Sequence, residues 1–272
     1  MNLMNITLAK EVIKDYTIKI DNLRILDSDE VEEIAFNLKI IHLLNEIQCY
    51  FSIVEQNYNE FDSQLKSNTV ELIKGSGSPL KPNEEILNKI MINLNRLLLN
   101  YLSSYRVLID HIPRLLNQYQ RISLKAFLSE IFDKNFEYRF CDQLRNFAQH
   151  KNLPITKFGC EADISLAKVF YLIDIESLLS QDYHWRFETR RDMEKYNDID
   201  SLSLISSHYQ IIKEIRSFVF IFFESDFFSA SSYLEEIANE FHGDYKIVLL
   251  YDNGEVQNIP TSMINQLKKE FV

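Results

Sequence analysis

DEVEEIAFNLKIIHLLNEIQCYFSIVEQNYNEFDSQL, residues 29–65, is the stretch that decides the fold class. Its apolar side chains return at steps of three and four, which is the spacing of one face of an α-helix. These residues are Val31, Ile34, Ala35, Leu38, Ile41, Ile47, Phe51 and Val54. Ser28 or Asp29 can cap the first turn, because a side-chain oxygen there accepts hydrogen bonds from free backbone N–H groups. The stretch therefore predicts one long helix.

The whole chain has the composition of a helical globular protein. Its 272 residues include only five glycines and five prolines, the two residue types that helix interiors tolerate least. Apolar residues make up 46% of the chain, which is enough to fill a core. The chain has no run of eighteen uncharged apolar residues and no signal-peptide layout, so we expect a cytoplasmic protein without membrane contact.

The same periodicity predicts further helices. Asn83 can cap a second helix, which is expected to reach about His111 and to be kinked or ended by Pro113. The others are expected from Ser123 or Leu124 to about Asn152, from Ala162 to Leu179 and from Ser201 to Glu224. At the N-terminus, Leu8 to Tyr16 looks helical, whereas Thr17 to Ile20 alternates like a short strand. The expected long loop is Gly75–Pro79.

Two short apolar segments near the C-terminus predict a β-hairpin. Tyr245–Tyr251 and Glu255–Ile259 flank Asn253-Gly254, a pair that adopts the positive backbone angles of a tight turn. Thr261 can then cap a final helix that runs to Glu270. We therefore expect a mainly α protein, with a helical bundle over residues 1–180 and further helices, a hairpin and a last helix over residues 181–272. The hairpin and last helix form a small C-terminal α+β appendage.

The charge of the chain is unevenly distributed. The formal net charge is -11, which argues against a nucleic-acid partner because phosphate backbones are held mainly by Lys and Arg. Residues 81–157, however, carry 12 basic and 7 acidic side chains. A basic middle in an acidic chain is expected of a localised anion site, and it is also compatible with a solvated helix face.

The cysteines do not indicate a disulfide framework or a metal site. Cys49, Cys141 and Cys160 are widely spaced and form no Cys-x-x-Cys pair. His42, His208 and His242 lie in separate segments and also lack the spacing of metal ligands. We therefore expect reduced thiols, no bound metal and no other cofactor.

Residues 145–150, Arg-Asn-Phe-Ala-Gln-His, combine residue types that suit chemistry on a phosphate. The spacing of Arg145 and His150 is a weak signal by itself, because Arg106–His111 repeats it. That second copy is filled by the apolar residues Val107, Leu108 and Ile109, so we interpret it as a structural coincidence. The first copy has a polar residue, Asn146, directly after the arginine.

The position of the first copy distinguishes it further. Leu153 precedes Pro154 and therefore disfavours helical backbone angles, which places a helix end near Asn152. An Arg-Asn-x-x-x-His segment at a helix end, behind a long helix and before Leu-Pro, resembles the signature of the HEPN superfamily. The resemblance covers about ten residues specifically and residues 30–180 as a helical bundle.

The resemblance implies both a fold and an activity. HEPN domains are helical bundles that form homodimers in which the motifs of two subunits meet at the interface. Many are ribonucleases of toxin–antitoxin, abortive-infection or CRISPR defence systems. By this resemblance Arg145 and His150 would be catalytic, Asn146 would support them, and the protein would be a toxin or antiphage effector held in check by an antitoxin or other regulatory protein.

The chemistry of these residue types agrees with RNA cleavage. Histidine suits proton transfer at neutral pH because its unperturbed pKa is near 6.5, and arginine holds two phosphate oxygens in a planar fork. Such a site needs no metal and would leave 2′,3′-cyclic phosphate and 5′-hydroxyl ends. Lys151, Arg139 and Lys157 are the side chains expected to guide the RNA.

Other interpretations remain open from the sequence. Arg145 can be a surface partner of Asp142, and His150 can be a residue favoured by the dipole at a helix end. The chain can then be an inactive HEPN-like module that dimerises and binds a nucleotide or protein, or a helical scaffold. Separately, His184, Trp185 and Arg186 can stack a base or, as we expect, anchor a loop.

Overall fold

The computed structural model describes residues 6–14, 17–76, 83–162, 167–239, 246–251 and 255–271. The helices are α1 (Ser28–Ser76), α2 (Glu84–Leu115), α3 (Gln118–Lys134), α4 (Phe136–His150), α5 (Ile175–Ser180), α6 (Phe187–Met193), α7 (Ser201–Ile221), α8 (Glu224–Asn239) and α9 (Thr261–Lys268). The strands are β1 (Ile6–Lys14), β2 (Thr17–Ile25), β3 (Ile155–Ala162), β4 (Ala167–Asp174), β5 (Asp198–Asp200), β6 (Lys246–Tyr251) and β7 (Val256–Asn258). The mainly α fold class is confirmed.

The long helix predicted from residues 29–65 is present as α1. Its cap is Asp27 rather than Ser28 or Asp29. The Asp27 side chain accepts a hydrogen bond from the Glu30 backbone N–H at 2.9 Å, and the Glu30 carboxylate accepts one from the Asp27 N–H at 3.0 Å. This reciprocal pair satisfies two of the free donors that every helix start leaves.

The strands form two antiparallel sheets. β6 and β7 confirm the predicted C-terminal hairpin, although its Asn-Gly turn lies outside the described residues. The N-terminal strands extend the same sheet, in the order β2-β1-β6-β7. The prediction of a helix over Leu8 to Tyr16 is therefore wrong, because residues 8–14 pair with β2 and residues 8–11 also pair with β6; residues 15 and 16 lie outside the described part of the chain. The strand expected at Thr17 to Ile20 is confirmed within β2.

The helix predicted over Ala162 to Leu179 is also wrong. This segment contains β4 and most of the short helix α5, and β4 lies between β3 and β5 in the second sheet. Tyr171 and Ile173 alternate with less buried neighbours and are 1% and 0% exposed. Side chains two residues apart share a face of a strand, so the apolar segment fits a half-buried strand as well as a helix.

The remaining boundaries differ in detail. The helix expected up to Asn152 is divided into α3 and α4 at Asn135, whose backbone N–H and side-chain amide both donate to the Ile131 carbonyl. Pro113 lies inside α2, two residues before its end. The helix expected from Ser201 to Glu224 is α7, followed by α8. Thr261 is the first residue of α9 rather than its cap, and Gly75 and Ser76 still belong to α1. Residues 77–79 of the expected loop lie outside the described part of the chain.

The chain divides into two compact units. One consists of Met1–Gln48 and Val219–Val272, and the other of Cys49–Phe218. The expected division at residue 180 was drawn from the order of elements along the chain, whereas these units follow contacts in space, so the two divisions differ. No helix in the described ranges is both long and apolar enough to cross a lipid bilayer.

The core of the unit Cys49–Phe218 contains a buried histidine among tyrosines. His208 of α7 is fully buried, and its Nδ1 is hydrogen-bonded to the Tyr101 hydroxyl at 2.7 Å. The rings of Tyr105 and Tyr138 pack against the same imidazole, with centroids 4.5 and 5.8 Å away. Burial lowers the pKa of His208 to about 3, so the imidazole is neutral. Because Tyr101 and Tyr105 belong to α2 and Tyr138 to α4, this cluster fixes α4 against α2 and α7.

Candidate active site on helix α4

Helix α4 carries all three residues of the expected catalytic motif. It is helical through His150, and the Lys151 backbone N–H closes the last turn on the Phe147 carbonyl at 2.9 Å. The Leu153 N–H donates to the Asn152 side-chain oxygen at 2.8 Å, and Pro154 is buried. The helix end predicted near Asn152 is thus present, and His150 is the last helical residue.

Arg145 is a half-buried cation without a carboxylate partner. Its Nη1 donates to the Asn146 side-chain oxygen at 3.0 Å, while its Nε is buried and has no hydrogen-bond acceptor within the described residues. Asp142, the partner that the alternative interpretation gave to Arg145, is instead bound by Arg106 at 2.9 Å. A guanidinium partly withdrawn from water and not neutralised by the protein favours an anion arriving from outside.

His150 differs from Arg145 in its environment. Its side chain is exposed, and it makes neither a hydrogen bond nor an ion pair within the part of the chain that the structure describes. The imidazole is therefore open to a substrate in solution. Residues five apart on an unbroken helix lie about 140° apart around its axis, so Arg145 and His150 of one chain do not share a face of α4.

The second Arg–His copy is used internally. Arg106 binds Asp110 of its own helix at 2.9 Å and Asp142 of α4 at 2.9 Å. His111 is hydrogen-bonded through Nδ1 to the Tyr50 hydroxyl at 3.1 Å. These contacts confirm the structural interpretation of this copy. The same Arg–His spacing therefore occurs with two different environments. Carboxylates neutralise Arg106, whereas Arg145 has no carboxylate partner among the described residues.

Arg139 is not available to RNA in this fold. Its side chain is 7% exposed and its Nη2 binds the Asp192 carboxylate of α6, itself 9% exposed, at 2.6 Å. Nη1 donates to the carbonyls of Phe132 and Asp133 at the end of α3. The guanidinium thus joins α3, α4 and α6, and its expected role in guiding RNA does not fit this burial.

The two lysines proposed to guide RNA are exposed but differ in their partners. The Lys157 amine lies 2.8 Å from Asp198 and 3.1 Å from Asp174, and its hydrogen bonds to these two carboxylates raise the pKa of the amine. Lys151 follows the motif directly and approaches Asp182 only to 3.9 Å. Of the two, Lys151 is the better placed to meet an anion beside His150.

A loop that sequence reasoning did not connect to the motif is anchored on α4. Gln143 accepts a hydrogen bond from the Arg186 N–H at 2.7 Å on its side chain and one from the Tyr183 hydroxyl at 3.2 Å on its carbonyl. Trp185 is 4% exposed and stacks on Phe147 at a centroid distance of 5.5 Å. The loop-anchor interpretation of Trp185 is therefore confirmed. Because Gln143 and His150 are two helical turns apart, the loop lies on the face of α4 that carries His150.

No protein-family model, curated protein or solved structure matches the chain. The resemblance to HEPN domains thus depends on the motif and its local context.

Two cavities lie elsewhere in the same unit. One of about 240 Å³ is lined by Phe136, Glu137, Tyr196 and Asp198 among others, and one of about 490 Å³ lies beside Lys157 and Glu194. Neither is lined by the motif residues. Among the residues whose positions are described, no group of three His, Cys, Asp or Glu side chains is arranged to hold a metal ion. The motif ends in the exposed His150 at the surface of α4.

Proposed function

We propose that the chain is a cytoplasmic, homodimeric HEPN-type endoribonuclease that cleaves RNA without a metal, with Arg145, Asn146 and His150 at its active site. The observation that carries this proposal is the contrast between the two arginines. Arg106 is neutralised by two carboxylates, whereas Arg145 is half-buried, is oriented by Asn146 and has no carboxylate partner within the described residues. A phosphate group is an anion that suits such a guanidinium, since it accepts two parallel N–H donors.

The residues supply each part of an intramolecular transesterification. A neutral His150 takes the proton of a 2′-hydroxyl, and the resulting oxygen attacks the adjacent phosphorus. The bond between phosphorus and the 5′-oxygen breaks, and that oxygen receives a proton from a second, protonated imidazole. Arg145 stabilises the charge that develops on the non-bridging oxygens. The products are a 2′,3′-cyclic phosphate and a 5′-hydroxyl, and no water is consumed.

A second copy of the chain is needed to complete this site. Each chain contributes one histidine at the end of α4, whereas the reaction uses one imidazole as base and another as acid. Because Arg145 and His150 lie about 140° apart around α4, a single helix does not present both to one phosphate. Two helices related by a twofold axis present the arginine of one copy beside the histidine of the other.

Mixed dimers test this arrangement. Wild type and His150→Ala are co-expressed with different affinity tags, and dimers carrying both tags are isolated over two columns. We expect such dimers to cleave RNA as poorly as the His150→Ala homodimer, because the shared site lacks one of its two imidazoles. If each chain worked alone, mixed dimers would keep about half of the wild-type rate, as expected for two independent sites.

The controls distinguish whether the chain cleaves RNA from whether two chains share one active site. Tandem-purified dimers of two differently tagged wild-type chains give the reference rate. A half-maximal rate in the mixed dimer would contradict the shared site, whereas absence of cleavage by the wild-type dimer would contradict the ribonuclease and favour an inactive HEPN-like module or a scaffold. The role as a toxin or antiphage effector with a regulatory partner is a proposal that rests on the family resemblance alone.

A further inference from the structure

The corner between α2 and α3 carries an unusual concentration of positive charge. Residues 111–129 include no Asp or Glu, in a chain that has 40 acidic residues overall. Arg114, Arg121 and Lys125 are exposed there, and none of them pairs with a carboxylate in the ranges that the structure describes. We define residues 114–125 as the α2–α3 corner. Its cations differ from Arg96, Arg106 and Lys134 nearby along the chain, which bind Glu60, Asp110 and Glu130.

Two large apolar side chains project from the same corner. Tyr119 is 83% exposed and Ile122 is 60% exposed, the former being the most exposed large apolar residue among those described. They are three residues apart on α3 and therefore lie on neighbouring positions of one face. Such exposure removes little apolar surface from water in the isolated chain, so these two side chains contribute little to its folding.

The backbone that presents these side chains is well fixed. Asn117 and Gln120 form a reciprocal capping box at the start of α3, with both hydrogen bonds at 3.0 Å. The Arg121 Nε donates to the Leu116 carbonyl at 2.9 Å. The corner is thus held in one conformation while its aromatic ring and its cations remain outside. A ligand that used them would not have to order the corner first.

We infer that the α2–α3 corner binds single-stranded RNA, with Tyr119 stacking on a base and Arg114, Arg121 and Lys125 contacting the phosphates. An exposed aromatic ring on a helix that also carries exposed cations suits single strands, whose bases expose their ring faces, whereas a duplex hides them. A protein partner is less well matched, because the segment that carries the exposed ring has three exposed cations and no acidic side chain. The net charge of -11 does not oppose this, since charges are screened beyond about 8 Å at physiological salt.

This surface is distinct from the motif on α4 and does not depend on cleavage. None of its residues belongs to the Arg145–His150 segment, so it would hold RNA even if the chain did not cut it. The inference therefore goes beyond the proposed function. Its test measures binding in a His150→Ala background, in which the proposed cleavage is absent and the corner is intact.

The experiment is a fluorescence anisotropy titration of the full chain with labelled oligouridylate of about 12 nucleotides, a length in the range that single-strand binding surfaces cover. We expect Tyr119→Ala to raise the Kd by about tenfold through loss of stacking, and Tyr119→Phe to stay within about twofold because the ring is kept. In the double variant Arg114→Gln/Lys125→Gln, the slope of log Kd against the logarithm of the salt concentration should fall by roughly 1.4. Each contact to a phosphate of a single strand contributes about 0.7 to that slope.

Ile92→Ala is the matched control, because Ile92 is an exposed apolar residue of α2 outside the corner, at 65% exposure. It should leave the Kd unchanged. Thermal unfolding of each variant shows that the fold is kept. Lack of measurable binding by the parent chain, an unchanged Kd in Tyr119→Ala, or an equal effect of Ile92→Ala would overturn the inference.

Discussion

Alanine in place of His150 is expected to lower the rate of RNA cleavage by at least about a hundredfold, which is the lower range for loss of a general acid–base group. The fold should be unaffected, because the side chain is exposed and makes no bond within the described part of the chain. Initial rates on a labelled RNA measure the first effect, and urea unfolding measures the second. Equal stability with a large loss of rate would separate a chemical role from a structural one.

His111→Ala is the matched control for this substitution. His111 follows an arginine at the same spacing, but it is hydrogen-bonded to Tyr50 and its arginine, Arg106, is neutralised. We expect the His111→Ala rate to stay within about twofold of wild type, apart from any loss of folded protein. Equal losses of rate in the two variants, or no loss in His150→Ala, would contradict the assignment of His150.

Arg139→Ala is expected to lower the free energy of unfolding by about 3–5 kcal/mol, more than any other substitution proposed for this chain. The substitution leaves the Asp192 carboxylate, 9% exposed, without its guanidinium partner, and it frees the carbonyls of Phe132 and Asp133. The carboxylate then keeps only the exposed side chains of Lys195 and Arg191, at 2.6 and 3.6 Å, and these replace neither the buried guanidinium nor its donors to the two carbonyls. Urea unfolding followed by circular dichroism measures the change.

Lys195→Ala provides the comparison on the same carboxylate. Lys195 binds Asp192 at 2.6 Å, but its side chain is 64% exposed. Removing an exposed partner should change the free energy of unfolding by less than about 1 kcal/mol. A loss of 1 kcal/mol or less in Arg139→Ala would contradict the structural role of this guanidinium and reopen its assignment to RNA contact.

Much of the fold follows from local patterns in the sequence. α1 was predictable because its apolar residues keep the helical period over many turns, and the start of α2 because Asn83 accepts from the Glu85 and Ile86 N–H groups. The C-terminal hairpin was predictable from alternation on both sides of an Asn-Gly pair. In each case the deciding interactions lie within a few residues of one another.

The errors lie where distant residues decide the local structure. The apolar residues of the segment that contains β4 fit both the helical period and the alternation of a strand. The segment forms a strand because it pairs with β3 and β5. β1 depends in the same way on β6, more than two hundred residues later. Strand pairing of this kind leaves no signal inside the segment itself, so its periodicity misleads.

The candidate site shows the same limit. Its position at a helix end was predictable from Leu153-Pro154. The burial of Arg139 was not, because Asp192 is 53 residues away in the sequence. The loop anchored by Gln143 was missed for the same reason, since its partners Tyr183 and Arg186 are 40 and 43 residues away. A polar residue on the apolar face of an amphipathic helix was the available signal for Gln143.

The central claim is that α4 provides metal-independent cleavage of RNA, and the chemistry of the product ends tests it most directly. Purified wild type is incubated with a labelled RNA in excess EDTA, beside His150→Ala prepared in the same way. We expect cleavage by wild type alone, with 2′,3′-cyclic phosphate and 5′-hydroxyl ends. Cleavage that stops in EDTA and returns with a divalent ion, or products that carry 5′-phosphates, would contradict it.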